Sequence, residues 1–431
     1  MKFIPSVISF ILLSAHFYRA GYIWVSFLFL IFPCIYFIRK KWPIYVSFLA
    51  LLSGAAVWLY SAAVAVMDRM SEGDPWVRML LILSAVAGFT VFSAFYLKKE
   101  LKGDRYNQII DSPVPGAAAF ILTAVFLSAA VLKVKFSLLI ADRFLPGSGW
   151  IEIFLLSIYA AWLTEIMIKG GKYIKHRRNL WLAFSAVFFV QLILGLAGLE
   201  KFLMTGKLHL PIPALIVAGP IYRGSGLFMP VLLGSAIILT GPAWCSFLCY
   251  IGSWDLAAGL AGNRPGAAPQ WRQKLRVGIL AAVIIAAFAL RAFGVSTVIA
   301  AVLALMFGIG GVAVMVFWSR KKGLMMHCIS YCPVGVITTL LGKISPFRIF
   351  ISGGCTKCGA CAKVCRYDAL KLEDGITKPG ISCTLCGDCI GVCGESAIYY
   401  KFPGLSPEKS RALFIVLAVS IHAVFMGLAR L

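Results

Sequence analysis

Charge is what this sequence has least of. Asp, Glu, Lys and Arg make up 13% of its 431 residues, while apolar residues reach 61% and mean hydropathy is +0.90. An ordinary soluble domain carries about 25% charge, so a soluble enzyme is excluded. Acidic residues are the scarcer kind: 17 against 41 Lys plus Arg, a formal net charge of +24. Such a balance can mark a nucleic-acid binder. Here the Lys and Arg residues sit in short clusters between apolar runs, with no RNA- or DNA-binding motif, and nucleic acid is excluded as a partner. Also missing are a Rossmann glycine motif, a P-loop and a Ser-Gly-Ala-Thr flavinylation motif. These absences leave no sequence basis for a bound nucleotide or an attached flavin. The stretch after Met1-Lys2-Phe3 is apolar but lacks a small-residue cleavage site, so a retained span is expected rather than a signal peptide.

The length would suit roughly three soluble domains, yet apolar runs of about 20 residues recur along most of it and read as membrane spans. About eleven are expected, from Phe3–Tyr18 to Ala412–Leu428. Basic clusters alternate with mixed or sparse loops. Arg39-Lys40-Lys41, Lys98 to Arg105, Lys169 to Arg178, Arg264 to Arg276 and Arg320-Lys321-Lys322 form one set. The positive-inside rule puts that set in the cytoplasm of a cell (inner) membrane protein, with the C-terminus outside. The expected fold is an all-α multi-pass bundle carrying a small α+β two-cluster ferredoxin-like domain. Residues 1–178 would form an N-terminal bundle of about six spans. Residues 179–351 would form a four-span core, 352–402 a cytoplasmic cysteine-rich domain, and 403–431 a linker and final membrane helix.

Eight of the thirteen cysteines fall between Cys355 and Cys393. Cys355-Thr-Lys-Cys358-Gly-Ala-Cys361-Ala-Lys-Val-Cys365 recurs 28 residues later as Cys383-Thr-Leu-Cys386-Gly-Asp-Cys389-Ile-Gly-Val-Cys393. Each is C-x2-C-x2-C-x3-C, the bacterial two-cluster run, in which the fourth cysteine ligates the other cluster. Cys355, Cys358, Cys361 and Cys393 are therefore expected to hold one [4Fe–4S] cluster, and Cys383, Cys386, Cys389 and Cys365 the second. Zinc would use paired C-x2-C knuckles and leave the third and fourth cysteines unexplained. Thiolate-held clusters need a reducing compartment, which agrees with the cytoplasmic side assigned from charge. Arg366 and Gly394 stand where Pro usually follows the fourth cysteine. Arg366 would either sit beside a cluster and raise its potential or point to solvent.

Two more cysteine pairs lie in the core, Cys245/Cys249 after the eighth span and Cys328/Cys332 after the tenth. Both are C-x3-C, and on a helix i and i+4 share a face. Four thiols converging there could bind a third cluster, bind a soft metal such as Cu(I) or Zn, or cycle as dithiols.

From about Asn179 to Tyr400 the chain resembles the membrane-bound polyferredoxins typified by the NapH and NosR proteins of nitrate and nitrous-oxide respiration. MauN- and CcoG-type maturation proteins are relatives. Cys328-Ile-Ser-Tyr-Cys332-Pro333-Val-Gly335 matches the family's second Cys-x3-Cys-Pro motif, and the two ferredoxin runs follow it. At the first motif Pro242-Ala243 occupies the position of the family's Arg, and Tyr250 follows Cys249 in place of Pro. The resemblance implies one-electron transfer between the quinone pool, a cytoplasmic donor and an extracytoplasmic redox partner, by a subunit of an oxidoreductase system that needs no substrate chemistry of its own.

Met325, Met326 and His327 beside the C-x3-C pairs motivate a second reading, a maturation factor that reduces or delivers copper or another metal. A solute transporter regulated by the clusters has less to support it, since no broken-helix pair is evident. His16, His209 and His422 offer no matched pair for haem. Glu152 and Glu165 are acids within one span. Cys34 reads as a core residue. The Pro- and Gly-broken stretch from His209 to Gly226 reads as an outer loop, with a quinone pocket as its alternative.

Overall fold

The computed structural model describes residues 3–38, 40–99, 113–134, 136–169, 171–202, 210–262, 265–370 and 378–428. His209, Arg39, Lys102, Arg105 and Arg264 lie outside these. Among the described residues nine helices are long and apolar enough to cross a membrane, from Trp42–Glu72 to Pro407–Leu428. The chain is a helical membrane protein. The apolar helices Ile4–Arg19 and Ile23–Phe37 are shorter. They correspond to the first two of the eleven expected runs and fall below the usual span of about 20 residues.

The chain divides into two compact units, Met1–Leu163 and Thr164–Leu431. In the first unit the Trp42–Glu72 and Val77–Lys99 helices pack along their length. Phe10, Leu13, Trp42, Leu51, Phe120 and Phe154 share its core. The acid Glu152 has a local task there, for its Oε2 accepts the Ala141 amide at 2.8 Å, near the start of the short Ile140–Phe144 helix. Cys34 departs from expectation. The 3-10 turn Phe32–Phe37 buries Phe32, Ile35 and Tyr36 and leaves Cys34 exposed, a position an apolar thiol tolerates against lipid.

In the second unit the Pro407–Leu428 helix is the most enclosed, with Phe414, Val419 and His422 fully buried. The Arg272–Ala292 and Thr297–Lys322 helices turn Val277, Phe288, Val302 and Met306 outward, an apolar surface suited to lipid. Within the stretch expected as an outer loop, Ile212–Ala214 is buried and Arg223–Gly226 is exposed. Ile212 is buried and packs on Gly308, late in the Thr297–Ala313 helix. The following Leu215–Arg223 helix ends with the Tyr222 hydroxyl donating to the Val295 carbonyl, just before that helix begins. Non-helical backbone among membrane helices is tolerated where protein surrounds it.

Of the π-wound turns among the described residues, Val314–Ser319 holds no cysteine, while Trp244–Leu248 and His327–Tyr331 each hold the first cysteine of a pair and end at the second. Such turns concentrate at functional sites. A two-stranded antiparallel sheet brackets the cysteine-rich segment. β1 (Arg348–Ile351) precedes it and β2 (Ile398–Lys401) follows it, with Ile349 opposite Tyr400 and Ile351 opposite Ile398. Those four residues are buried, and the Tyr400 ring stacks on Phe414 at 4.3 Å.

Candidate redox site

The two cysteine runs share one backbone, written twice. Lys357 and Leu385 both take a φ of +55°, Gly359 and Gly387 both +77°, and Asp368 and Ser396 +47° and +51°. Each pair is separated by the 28 residues of the repeat. Left-handed residues either side of the second cysteine turn the chain back on itself, and glycine meets that need at least cost.

The runs then cross. Cys361 has Cys355 and Cys393 as electrostatic neighbours. Cys389 has Cys386, Cys383 and Cys365, and Cys383 and Cys386 each face Cys365 as well. Cys365 thus lies among thiols of the second run, and Cys393 beside Cys361 of the first. Cys358 is exposed. Backbone amides point at the buried sulfurs: Ala369 N donates to Cys365 Sγ at 3.4 Å, and the Tyr367 and Leu370 amides face the same atom. Burial pushes the Cys383 thiol up to about 12 and raises those of Cys361, Cys365, Cys386 and Cys389, while nearby backbone amides pull Cys361, Cys365, Cys383 and Cys386 downward.

Buried polar contacts fasten this segment to the helices of its unit. Arg177 makes a bidentate pair with Asp388, Nε to Oδ1 at 2.7 Å and Nη2 to Oδ2 at 2.8 Å, with both side chains almost wholly buried. Its Nη1 donates to the Ser246 carbonyl at 2.9 Å. The Arg366 guanidinium does not point to solvent; Nη1 donates to the Gly259 carbonyl at 3.2 Å and to that of Gly323 at 2.5 Å. Arg272 pairs with Asp368 at 3.0 Å. Tyr367 is buried, and its hydroxyl donates to the Cys245 carbonyl at 3.0 Å.

That contact leads to the C-x3-C cysteines, which the structure brings together. Cys249 has Cys245 and Cys332 as neighbours, and Cys328 has Cys332, Cys249 and Cys245. The two motifs are built alike. The Cys249 amide donates to the Trp244 carbonyl at 3.0 Å, and the Cys332 amide to that of His327 at 2.8 Å. Each of these cysteines then caps a helix, Tyr250–Ala261 or Pro333–Leu341. Amides of Ile251 and Gly252 point at Cys249, and those of Val334 and Gly335 at Cys332. The Arg276 guanidinium stands beside Cys245, Cys332 and Cys328 and donates to the Cys328 carbonyl at 3.1 Å. Burial raises the Cys249 and Cys328 thiols and pushes Cys332 up to about 12.

Asp255, fully buried, receives the Ser319 hydroxyl at 2.5 Å and the Cys328 amide at 2.9 Å. Burial pushes its carboxyl up to about 6, against those donors. His327 is buried against Gly311 and Tyr331, and burial pushes its imidazole down to about 4. It lines an apolar cavity of about 310 Å³ with Cys332, Phe189, Trp254, Phe307 and Ile212. A second, polar cleft of about 520 Å³ lies beside Ile390 and Gly391 and is lined by Lys172, Lys175, Arg178 and Arg411. Met325 and Met326 are fully buried in the cluster that holds Trp181, Leu256 and Tyr367. His16 meets Ser61, and His422 meets the Phe247 carbonyl, each at 3.3 Å.

Sequence reasoning missed Arg177, Asp255, Arg276 and Tyr367. Asp255 had a signal, an acid in a long apolar stretch. So did Gly252 and Gly335, since both pairs read C-x3-C-x2-G. A side chain at Gly252 would stand 3.2 Å from the Cys245 carbonyl, and one at Gly335 would stand 3.0 Å from that of Cys328.

Among the described residues, no three His, Cys, Asp or Glu side chains form a group that could hold a metal ion. Comparison with family models, with curated proteins and with solved structures gives no match.

Proposed function

We propose that this chain is an inner-membrane iron–sulfur protein that relays electrons one at a time between a cytoplasmic donor or the quinone pool and a redox partner in or beyond the membrane, as its resemblance to NapH and NosR proteins implies. The crossing of the cysteine runs carries the reading. Two thiol sets that exchange their fourth members are the ligand pattern of a two-cluster ferredoxin. Cys355, Cys358, Cys361 and Cys393 would hold one [4Fe–4S] cluster, and Cys365, Cys383, Cys386 and Cys389 the other. The surroundings fit, because amides aimed at sulfur favour the thiolate and tune a cluster's potential. When bound, the clusters supply reversible one-electron chemistry. The protein's part is to hold the thiolates, exclude water and fix residues 352–402 against the membrane helices through Arg177, Arg366 and Tyr367.

The positive-inside rule and the need for reduced thiols place this domain in the cytoplasm. The Lys172, Lys175, Arg178 and Arg411 cleft beside Gly391 suits an acidic redox protein, for complementary charge speeds encounter. The apolar cavity suits a quinone headgroup, with the buried imidazole of His327 as its polar contact.

Anaerobically prepared protein should contain about eight iron and eight sulfide in this domain. Reduction should give the EPR signals of [4Fe–4S] clusters. Zinc in their place, with no signal after reduction, would overturn the assignment.

A further inference from the structure

We propose that Cys245, Cys249, Cys328 and Cys332 together hold a third iron–sulfur cluster, of the four-thiolate class, inside the helical core. The inference rests on the relay reading above and extends it inward.

Its first support is convergence. Thiols 83 residues apart in sequence, Cys245 with Cys328 and Cys249 with Cys332, are electrostatic neighbours in one buried place. The second is that each half is the same device. A π-wound turn ends on a cysteine, that cysteine caps a helix, and a glycine three residues on lets the first cysteine's carbonyl approach. Helix packing alone gives no reason to repeat all three features.

The third support is the chemistry offered to the sulfurs. The amides of Ile251 and Gly252 face one cap sulfur, and those of Val334 and Gly335 the other. Helix N-termini favour negative charge. Thr338 Oγ1 lies 3.2 Å from Cys245 Sγ, and the Arg276 guanidinium faces three of the four sulfurs. This is provision for bound thiolates in an apolar interior, where neutral thiols would need none of it.

The donor set then narrows the ligand, since four thiolates suit a soft metal or an iron–sulfur core. A single zinc or copper ion needs its ligands within about 2.3 Å of one point, and no such group is formed among the described residues. An iron–sulfur core fills a wider gap with its own iron and sulfide, and both [2Fe–2S] and [4Fe–4S] cores accept four cysteines.

Position gives the site its use. Cys328, Cys365, Cys383 and Cys386 pack on one hydrophobic cluster. Tyr367 has Cys328, Cys386 and Cys245 as electrostatic neighbours, thiols of both sets. Transfer across Tyr367 moves one electron, oxidising one centre as the other is reduced, with no bond broken and no proton released. Cys332 also lines the apolar cavity, so the same centre lies next to where a membrane-soluble acceptor would sit.

The test is iron and acid-labile sulfide per chain, with zinc and copper, in anaerobically purified full-length protein and in two variants. One is Cys328→Ser/Cys332→Ser, the other Cys361→Ser/Cys389→Ser. The third centre should raise the parent's iron above eight by two or four, matched by sulfide. The core variant should lose that excess and keep about eight iron and the ferredoxin EPR signals, which also shows that it has folded. A parent with eight iron that the core variant keeps unchanged would overturn this inference and leave the relay reading standing. A parent with only two or four iron, all lost in the core variant, would overturn the ferredoxin assignment instead. Zinc or copper at one per chain in the parent, lost in the core variant with no change in sulfide, would also overturn the inference.

Discussion

The Tyr367 hydroxyl donates to the Cys245 carbonyl at 3.0 Å, tying a residue two positions after Cys365 to the first cysteine of the core quartet. The residues lie 122 apart in sequence. A buried tyrosine seeks such a partner, because an unmatched hydroxyl in an apolar interior is costly. Here the partner joins the cysteine-rich segment to the membrane helices.

Tyr367→Phe keeps the ring and removes only this bond. The expected loss is about 1 kcal/mol, read as a lower melting temperature of the iron–sulfur absorbance in detergent, with iron content unchanged. A melting temperature equal to the parent's would mean that the hydroxyl does not fasten the two parts.

Arg177 and Asp388 should behave more severely. Breaking a buried ion pair from one side costs about 3–5 kcal/mol, because it strands the other charge. Asp388→Ala should therefore release the 352–402 segment, seen as protease cleavage between Ile351 and Cys355. Replacing both, Arg177→Met with Asp388→Leu, should recover much of the loss, since apolar pairs of similar size often substitute for buried ions. If the double variant is as labile as Asp388→Ala alone, the pair is needed for more than burial.

These ties explain what the sequence does and does not disclose. The helices follow the apolar runs closely, because a bilayer sets a minimum length and an apolar character for each span. The cysteines proposed as cluster ligands are legible because their spacing is local and their chemistry unusual. The docking contacts are not, since Arg177 and Asp388 stand 211 residues apart and Arg177 sits in a cluster that reads as a topology signal. The burial of Ile212–Ala214 was hidden for a different reason. Proline and glycine break an apolar stretch equally in an outer loop and in a segment folded into the core.

The basic clusters make sidedness a testable expectation. A reporter fused after Lys322 should report the cytoplasm, and one fused at Leu431 the outside, across the Pro407–Leu428 helix. A cytoplasmic signal at Leu431 would mean that this enclosed helix does not cross.

Gly359 and Gly387 offer a matched comparison. Both hold φ at +77° immediately after the second cysteine of a run. Alanine at either position bears the left-handed strain, about 1–2 kcal/mol. Their surroundings differ. A side chain at Gly359 would meet nothing within 4 Å, whereas one at Gly387 would run into the Tyr400 hydroxyl and stand 3.0 Å from that of Tyr173. Those hydroxyls are committed, Tyr400 to the Leu385 carbonyl and Tyr173 to the Cys386 carbonyl, each at 2.8 Å. Both anchors shape the turn that presents Cys386. Gly359→Ala should thus keep full iron and melt a few degrees lower. Gly387→Ala should force the tyrosines off their carbonyls and lose about half of the eight irons proposed for the domain, from the Cys365, Cys383, Cys386 and Cys389 set. Equal iron content in the two variants would show that the tyrosine pair does not brace this turn.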